Sequence, residues 1–328
     1  MNDEVILRID NLRAGYSLGR RFVDAVSDVS LELNYGEIFG LAGESGCGKS
    51  TLLKIIYGYT EPPLTRLRGS LTLKTKEGML NLHELNMDEL RKKVWWKYVT
   101  WVPQGAMSIL NPTLRIRDHF IEMFKLHSNF KIHKKEAYNR IVEHLKNLGL
   151  SKEVADTYPT QLSGGMKQRV VIALALLFNP LLVLADEPTS ALDVVNQKVI
   201  LEQLLMLQKE HGFTLILVSH DINVHGVLTD RMGIMYAGKI VEIGYTEKVF
   251  ADPLHPYTKA LIESLPRIGD KVVRKGLYGS PPNLSTPPSG CRFHPRCPYA
   301  MDICKREEPP MIEIENKRRT QCWLYNMS

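Results

Sequence analysis

The stretch Ile38-Phe39-Gly40-Leu41-Ala42-Gly43-Glu44-Ser45-Gly46-Cys47-Gly48-Lys49-Ser50-Thr51 decides the fold. Five apolar or small residues form a strand, a glycine-rich loop follows, and Leu52 to Tyr57 continues as an apolar helical stretch. Gly43 and Gly48 bracket four residues ahead of Lys49-Ser50, which is the spacing of a phosphate-binding loop set between strand and helix. Glycines let several backbone N–H groups converge on one point, and the helix N-terminus adds positive potential, so an anionic polyphosphate fits. In this reading Lys49 reaches the β- and γ-phosphates and the Ser50 hydroxyl ligates Mg²⁺. A strand–loop–helix of this kind belongs to an α/β fold whose sheet is buried on both faces.

Working outward from the loop, the chain opens on short strands at Val5–Ile9 and Val29–Leu33, the second alternating as an antiparallel strand does, and these predict a small β-subdomain. Residues 105–165 read as helices with charged faces; within them Ile141, Leu145 and Leu148 recur at helical spacing over Lys134–Leu148. Leu182-Val183-Leu184-Ala185 is an apolar strand ending in Asp186-Glu187, two acids delivered to the carboxyl end of a sheet strand. There Asp186 suits Mg²⁺, and Glu187, facing the other way, suits the role of general base toward an attacking water. The alternative for the pair is a plain turn before Pro188.

Leu162-Ser163-Gly164-Gly165-Met166-Lys167-Gln168-Arg169, ahead of a helix expected over Val170–Phe178, supplies a second anion site far from the first in sequence. These residues resemble the signature sequence of ABC ATPases, and with the phosphate loop before them and the acidic strand after them they stand in that family's order. The resemblance implies a P-loop NTPase core with a mostly parallel sheet, an antiparallel β-subdomain and a helical subdomain. It also implies that Gly43, Glu44, Ser45, Gly46, Cys47, Gly48, Lys49, Ser50 and Thr51 cradle the phosphates, while Ser163, Gly164 and Gly165 contact the γ-phosphate of ATP held by a second ATPase subunit. Tyr16 matches the aromatic that stacks on adenine, and on sequence alone equally a half-buried strand-end tyrosine. Gln104, in Val102-Pro103-Gln104, matches the glutamine that senses Mg²⁺ and the attacking water. Ser190-Ala191-Leu192-Asp193 matches the loop that crosses to the opposite subunit, and Asp193 reads alternatively as a helix N-cap. His220, after the apolar strand Thr214–Val218, resembles the histidine that hydrogen-bonds the γ-phosphate. The implied catalytic set is Glu187, His220, Lys49 and Gln104, working in a head-to-tail pair of such domains, identical chains or paralogues.

Beyond residue 250 proline-rich segments appear, Ser280-Pro281-Pro282-Asn283 and Thr286-Pro287-Pro288-Ser289, which sustain neither helix nor central strand. His255-Pro256-Tyr257-Thr258-Lys259-Ala260-Leu261 and Gly290-Cys291-Arg292-Phe293 resemble the carboxy-terminal extension of oligopeptide and dipeptide importer ATPases. The expected organisation is therefore a nucleotide-binding domain over 1–250 and an extension over 251–328. The resemblance implies two transmembrane permease subunits as partners, an extracytoplasmic solute-binding protein acting indirectly, and peptides, nickel complexes or oligosaccharides as cargo. Cys291, Cys297, Cys304 and Cys322 crowd into a loop-rich tail with little apolar material, where a metal would replace a missing core. Some members of the family carry a four-iron, four-sulfur cluster on such cysteines; zinc is the runner-up, although its sites usually use tighter cysteine pairs, and unligated thiols weigh the same as zinc. Cys47 reads as filling a small-residue position, with oxidation there able to obstruct ATP.

Composition narrows the alternatives. A net charge of +6 is too mild for a dedicated nucleic-acid binder, so no nucleic acid is expected as partner. The amino terminus lacks the basic start and apolar stretch of a secretory signal, and Val170–Ala185, the most apolar run, is broken by Asn179-Pro180, short of the about 20 residues that span a bilayer. The expected placement is peripheral, on the cytoplasmic face of the cell membrane. Soluble ABC ATPases acting on DNA insert a long coiled coil between loop and signature; here 114 residues separate Lys49 from Ser163 (163 − 49) without sustained heptads. Ribosome-acting relatives carry two such domains per chain, whereas no internal repeat is visible here. An exporter ATPase is set aside by the tail alone.

Overall fold

A computed structural model gives the structure of the protein and describes residues 4–127, 133–190, 192–265, 277–315 and 317–326. In chain order, strands β1 (Val5–Leu18), β2 (Arg21–Asn34) and β3 (Ile38–Ala42) lead into α1 (Lys49–Ile56), followed by β4 (Leu64–Thr75) and β5 (Gly78–Asn81). Next come α2 (Met87–Lys93), β6 (Val99–Val102), α3 (Ile116–His127), α4 (Lys134–Asn147), α5 (Gly164–Ala175), β7 (Leu182–Asp186), α6 (Val194–His211) and β8 (Thr214–Val218). The chain closes with α7 (Ile222–Leu228), β9 (Arg231–Tyr236), β10 (Lys239–Tyr245), α8 (Thr246–Ala251), α9 (Pro256–Glu263), α10 (Asp302–Arg306), β11 (Ile312–Glu315) and β12 (Arg318–Thr320). Two compact units result: one holds Leu85–Ile216, the other joins residues 4–84 to those from Leu217 onward.

In the second of these, β1, β2, β4 and β5 form an antiparallel sheet in the order β2-β1-β4-β5, the expected β-subdomain. Leu33, Leu7 and Leu73 lie side by side across three strands, as do Leu31, Ile9 and Leu71, and all six are at most 1 % exposed. Such apolar rows bury one face of the sheet and hold its register, because a one-residue slip would turn them to solvent. The two first strands run far beyond the expected Val5–Ile9 and Val29–Leu33. Bulges between Ile9 and Leu12, where Asn11 takes a left-handed φ of 47°, let pairing continue after the simple alternation has broken.

The same unit holds β3 parallel to β9, then β10 antiparallel to β9, β12 antiparallel to β10, and β11 at the edge. The tail thus contributes strands to a sheet begun by the body, with Glu242 opposite Thr320. It also shares an apolar core: Tyr236 lies 4.6 Å from Tyr257 and 5.1 Å from Phe293 between ring centroids, with Ile234, Val241 and Val249 around them. The segments at 280–283 and 286–289 are irregular, as their prolines require. Helix α9 is nonetheless formed within the proline-containing region, because Pro256 occupies its first turn, where no N–H is needed, and the His255 side chain accepts from the Tyr257 amide at 3.0 Å.

In the other unit β6 and β7 pair in parallel, Val99 with Leu182 through Val102 with Ala185, and β8 enters on the far side of β7. Helix α4 buries Ile141 and Leu145 of the expected stripe, with Ala137 added, and the third expected residue, Leu148, is buried at its C-cap. Helix α5 starts six residues earlier than expected, at Gly164 instead of Val170, and ends at Ala175. Ser163 caps it, its Oγ accepting from the Met166 amide at 3.3 Å, so the Ser-Gly-Gly stretch is the helix start itself. Among the described residues no helix is long and apolar enough to cross a membrane.

Candidate active site

The phosphate loop is built by close backbone approach. Strand β3 is buried throughout and releases the chain at Gly43, whose φ is 148° and where a Cβ would lie 2.1 Å from the Met235 carbonyl oxygen. At Gly48, φ 111°, a Cβ would lie 2.0 Å from the Ala25 carbonyl oxygen. Both positions exclude every side chain, so the loop is clamped between the backbones of β2 and β9. No side chain caps α1 and no acidic residue occupies its first turn, which leaves its positive end available to an anion. The Lys49 ammonium is buried and donates to the Gly43 oxygen at 2.7 Å and the Glu44 oxygen at 3.0 Å. Cys47 is buried beside it, and burial raises its thiol above the usual range; it is a packed, protonated small residue and a poor target for oxidation.

Tyr16 is half-buried near the end of β1, with its hydroxyl 3.0 Å from Thr51 Oγ1 in α1. His220 is exposed on the turn after β8, a turn fixed by the Asp221 amide donating to Ser219 Oγ at 3.1 Å and by Asp221 capping α7. Sequence reading passed over His225, which stands behind that turn. It is fully buried, its Nε2 lies 3.4 Å from the Ser219 oxygen, and its Nδ1 fills the space where a Cβ on Gly40 would sit. Burial depresses its pKa to about 4, so the imidazole is neutral and acts as a strut. No sequence signal separates it from the other histidines; only the missing side chain at Gly40 could have pointed to it.

The Leu85–Ile216 unit holds the other set of residues. Strand β7 is buried along its whole length and delivers Asp186 and Glu187 at 2 % and 7 % exposure. Gln104, exposed just beyond β6, donates from Nε2 to Glu187 Oε2 at 2.9 Å, so two residues 83 apart in sequence meet. Glu187 has φ 50°, a left-handed conformation costly for a side chain with a Cβ, and the turn is closed by the Ser190 amide and hydroxyl, each 3.2 Å from the Glu187 oxygen. Strain of this kind accumulates where a side chain must be aimed. Ser163 and Gly164 are exposed at the start of α5, and a Cβ on Gly165 would press to 3.0 Å from Asn196 Oδ1. Asn196 in turn donates to Asp193, which caps α6, so Asp193 takes the capping role and stands beside the signature turn as well. Ala191 of this loop lies outside the described residues.

The tail cysteines Cys291, Cys297, Cys304 and Cys322 all lie within the described residues. All four are free, and Cys291, pushed up to about 12 chiefly by burial, also feels Cys304, Cys322 and Cys297. Cys322 is pushed up to about 11, again chiefly by burial. Yet among the described residues no group of three or more histidines, cysteines or acids is placed to hold a metal ion. The reasoning from a missing core fails here for a physical reason. Phe293 is 2 % exposed against Tyr236 and Tyr257, Cys291 and Cys297 pack on that cluster, and β12 is hydrogen-bonded to β10, so apolar packing and a sheet edge hold the tail together.

The ABC transporter family model matches residues 26–190, half of the chain and the part that carries the phosphate loop, Gln104, the signature turn and Glu187. The chain belongs to the ABC transporter family. A second model, the oligopeptide/dipeptide transporter C-terminal region, matches residues 241–304 of this ABC ATPase. The dipeptide transport ATP-binding protein DppD of Caldanaerobacter subterraneus subsp. tengcongensis is 41 % identical over 98 % of this chain and 97 % of its own length. DppD of Bacillus subtilis is 37 % identical over 98 % and 95 %. Among solved structures, the dimeric post-hydrolysis state of the ATP-binding cassette MJ0796 bound to ADP and Pi is similar with a TM-score of 0.65 and 30 % identity, over 74 % of this chain and 99 % of that one. ATP and Mg²⁺ are the substrate and ion that an ABC ATPase uses.

Proposed function

We propose that this chain is the ATP-hydrolysing subunit of an ABC importer that takes up di- and oligopeptides. The observation that carries the reading is the pairing, in one chain, of an ABC ATPase body with an oligopeptide/dipeptide transporter C-terminal region. Residues 1–250 act as the nucleotide-binding domain, with 105–165 as the helical part that relays closure and opening to two permease subunits. Residues 251–328 act as the importer-type extension. The protein works peripherally at the cytoplasmic face of the membrane, its cargo delivered by a solute-binding protein on the other side.

For hydrolysis, Tyr16 stacks on the adenine and the loop Gly43 to Thr51 wraps the phosphates. Lys49 and His220 offset charge on the γ-phosphoryl oxygens, in the positioning and electrostatic strategy common to phosphoryl transfer. Ser50, Asp186 and Gln104 are the residues that would hold Mg²⁺, which when bound neutralises charge between the β- and γ-phosphates. Glu187 accepts the proton of the attacking water, and the bond from Gln104 to its carboxylate supports that assignment by holding the acceptor in place. Ser163, Gly164, Gly165 and Asp193 face the ATP of a second ATPase subunit, and the exposure of Ser163, Gly164 and Asp193 leaves them open to such a partner.

Affinity purification of the tagged chain from solubilised membranes checks the assignment. Two integral membrane proteins should come with it, and ATP turnover of that assembly should rise when a peptide-loaded binding protein is added. Tight, salt-sensitive binding to DNA with no membrane partner would instead place the chain among the soluble ABC ATPases.

For the tail, a four-iron, four-sulfur cluster on Cys291, Cys297, Cys304 and Cys322 is the finer proposal, with zinc as its competitor. The all-cysteine donor set, four thiols within the last 38 residues, supports it. Iron and acid-labile sulfide measured on anaerobically purified protein should give about four of each per chain. One zinc, or no metal, rejects the cluster.

A further inference from the structure

Glu44, the second residue of the phosphate loop, is gripped from outside the loop by two residues of the carboxy-terminal tail. Its backbone N–H donates to the Tyr257 hydroxyl at 2.9 Å. Its carboxylate receives a two-pronged contact from Arg296, Nη1 to Oε2 at 2.7 Å and Nη2 to Oε1 at 3.0 Å, with the arginine side chain only 5 % exposed. The guanidinium is itself held in place: Nε donates to the Tyr278 oxygen at 2.8 Å, Nη2 to the Gly279 oxygen at 3.3 Å and Nη1 to the Tyr236 hydroxyl at 3.3 Å. Tyr257 is fully buried, with its ring against Tyr236 and Phe293.

Two consequences follow for the loop. The Glu44 peptide is held on both sides, its amide by Tyr257 and its carbonyl oxygen by the Lys49 ammonium, so any shift of Glu44 moves the lysine that meets the phosphates. The Glu44 carboxylate also stands in a loop shaped for a polyanion, where an unpaired negative charge would repel the ligand; the cation on Arg296 neutralises it. A planar, permanently charged fork with five donors is suited to such a brace, and lysine is not.

We propose that Arg296 and Tyr257 are positioning residues for ATP, through which the tail sets the geometry and charge of the phosphate loop. The inference rests on the proposed ATP-binding role of that loop and adds to it a function for the extension inside its own chain. Nothing in the sequence brings Arg296 to Glu44, 252 positions earlier; the sheet and core that the tail shares with the body do so.

The test uses the full-length chain, equilibrium binding of a fluorescent ATP analogue and steady-state turnover. Binding and turnover by the unaltered protein report on the ATP site itself, so failure there is distinct from failure of the present inference. Arg296→Ala should raise both the Kd for the analogue and KM for ATP by about tenfold, with kcat at saturating ATP falling less than about twofold. Adding Glu44→Gln to Arg296→Ala should restore most of the affinity, because the carboxylate left without its cation is then gone. A merely structural arginine predicts no such rescue. Tyr257→Phe keeps the ring in its core and should raise KM about threefold by freeing the Glu44 amide. If Arg296→Ala does not fold, Arg296→Gln carries the same comparison, removing the charge while keeping more of the side chain's volume and hydrogen-bonding capacity. Wild-type KM in Arg296→Ala or Arg296→Gln, or no gain on adding Glu44→Gln, overturns the proposal.

Discussion

Glu187→Gln should bind ATP as tightly as the unaltered chain, hydrolyse it about 10²- to 10⁴-fold more slowly, and accumulate as an ATP-bound dimer. The substitution exchanges one carboxylate oxygen for an amide nitrogen and leaves the size of the side chain unchanged. The turn that holds Glu187 at φ 50° is closed by its own backbone oxygen, which accepts from Ser190, so that turn does not depend on the carboxylate. Gln104 still finds an acceptor, since it donates to a single oxygen, Oε2, which the new amide carbonyl can replace. Only the ability to take a proton from water is lost. Phosphate release measured beside nucleotide-dependent size-exclusion chromatography separates the steps: slow release with a larger, ATP-dependent species is expected, and ordinary turnover would remove Glu187 from the role of base.

Lys49→Ala should act at the earlier step and lose ATP binding itself. The ammonium is buried at the mouth of the loop, and charge-assisted hydrogen bonds of the kind it would make to phosphate are worth about 1.5–3 kcal/mol each, so its removal should weaken ATP by roughly a hundredfold or more. It also ties the Gly43 and Glu44 carbonyl oxygens together, so the loop loses an internal brace as well as a charge. Isothermal titration with ATP, with the melting temperature of nucleotide-free protein as control, checks this. A variant that melts like the unaltered protein and still binds ATP with unchanged affinity would show that the lysine only braces the loop. The two variants differ in kind: one blocks hydrolysis of bound ATP and the other blocks binding, so a transport assay alone would not tell them apart.

Much of this site was legible because its chemistry depends on spacing along the chain. The interval from Gly43 to Ser50 specifies a loop that few other functions demand, and Asp186-Glu187 at the end of an apolar strand arrive at a sheet's carboxyl edge by the geometry of a strand. The signature turn was legible as a helix start, although α5 begins at Gly164 and not at Val170, because two glycines mask the helical pattern while Ser163 supplies the cap. The first two strands run longer than their alternation suggests, since bulges interrupt the period of two without ending the pairing. In the tail, a dense set of cysteines suggested that metal must hold a loop-rich segment together, whereas Phe293, Tyr236 and Tyr257 form a core drawn from three distant segments that no local composition reveals.

The sequence alone determined the type of fold, the phosphate loop, the acidic strand end and the signature turn, because each is a local pattern whose hydrogen bonds and side-chain directions are set within a few neighbouring residues. Tertiary structure decided that Gln104 meets Glu187, that His225 stands behind the turn of His220, and that Arg296 and Tyr257 hold Glu44. Those pairings join residues that no period along the chain relates, and only the packing of sheets and core brings their polar atoms within hydrogen-bonding distance.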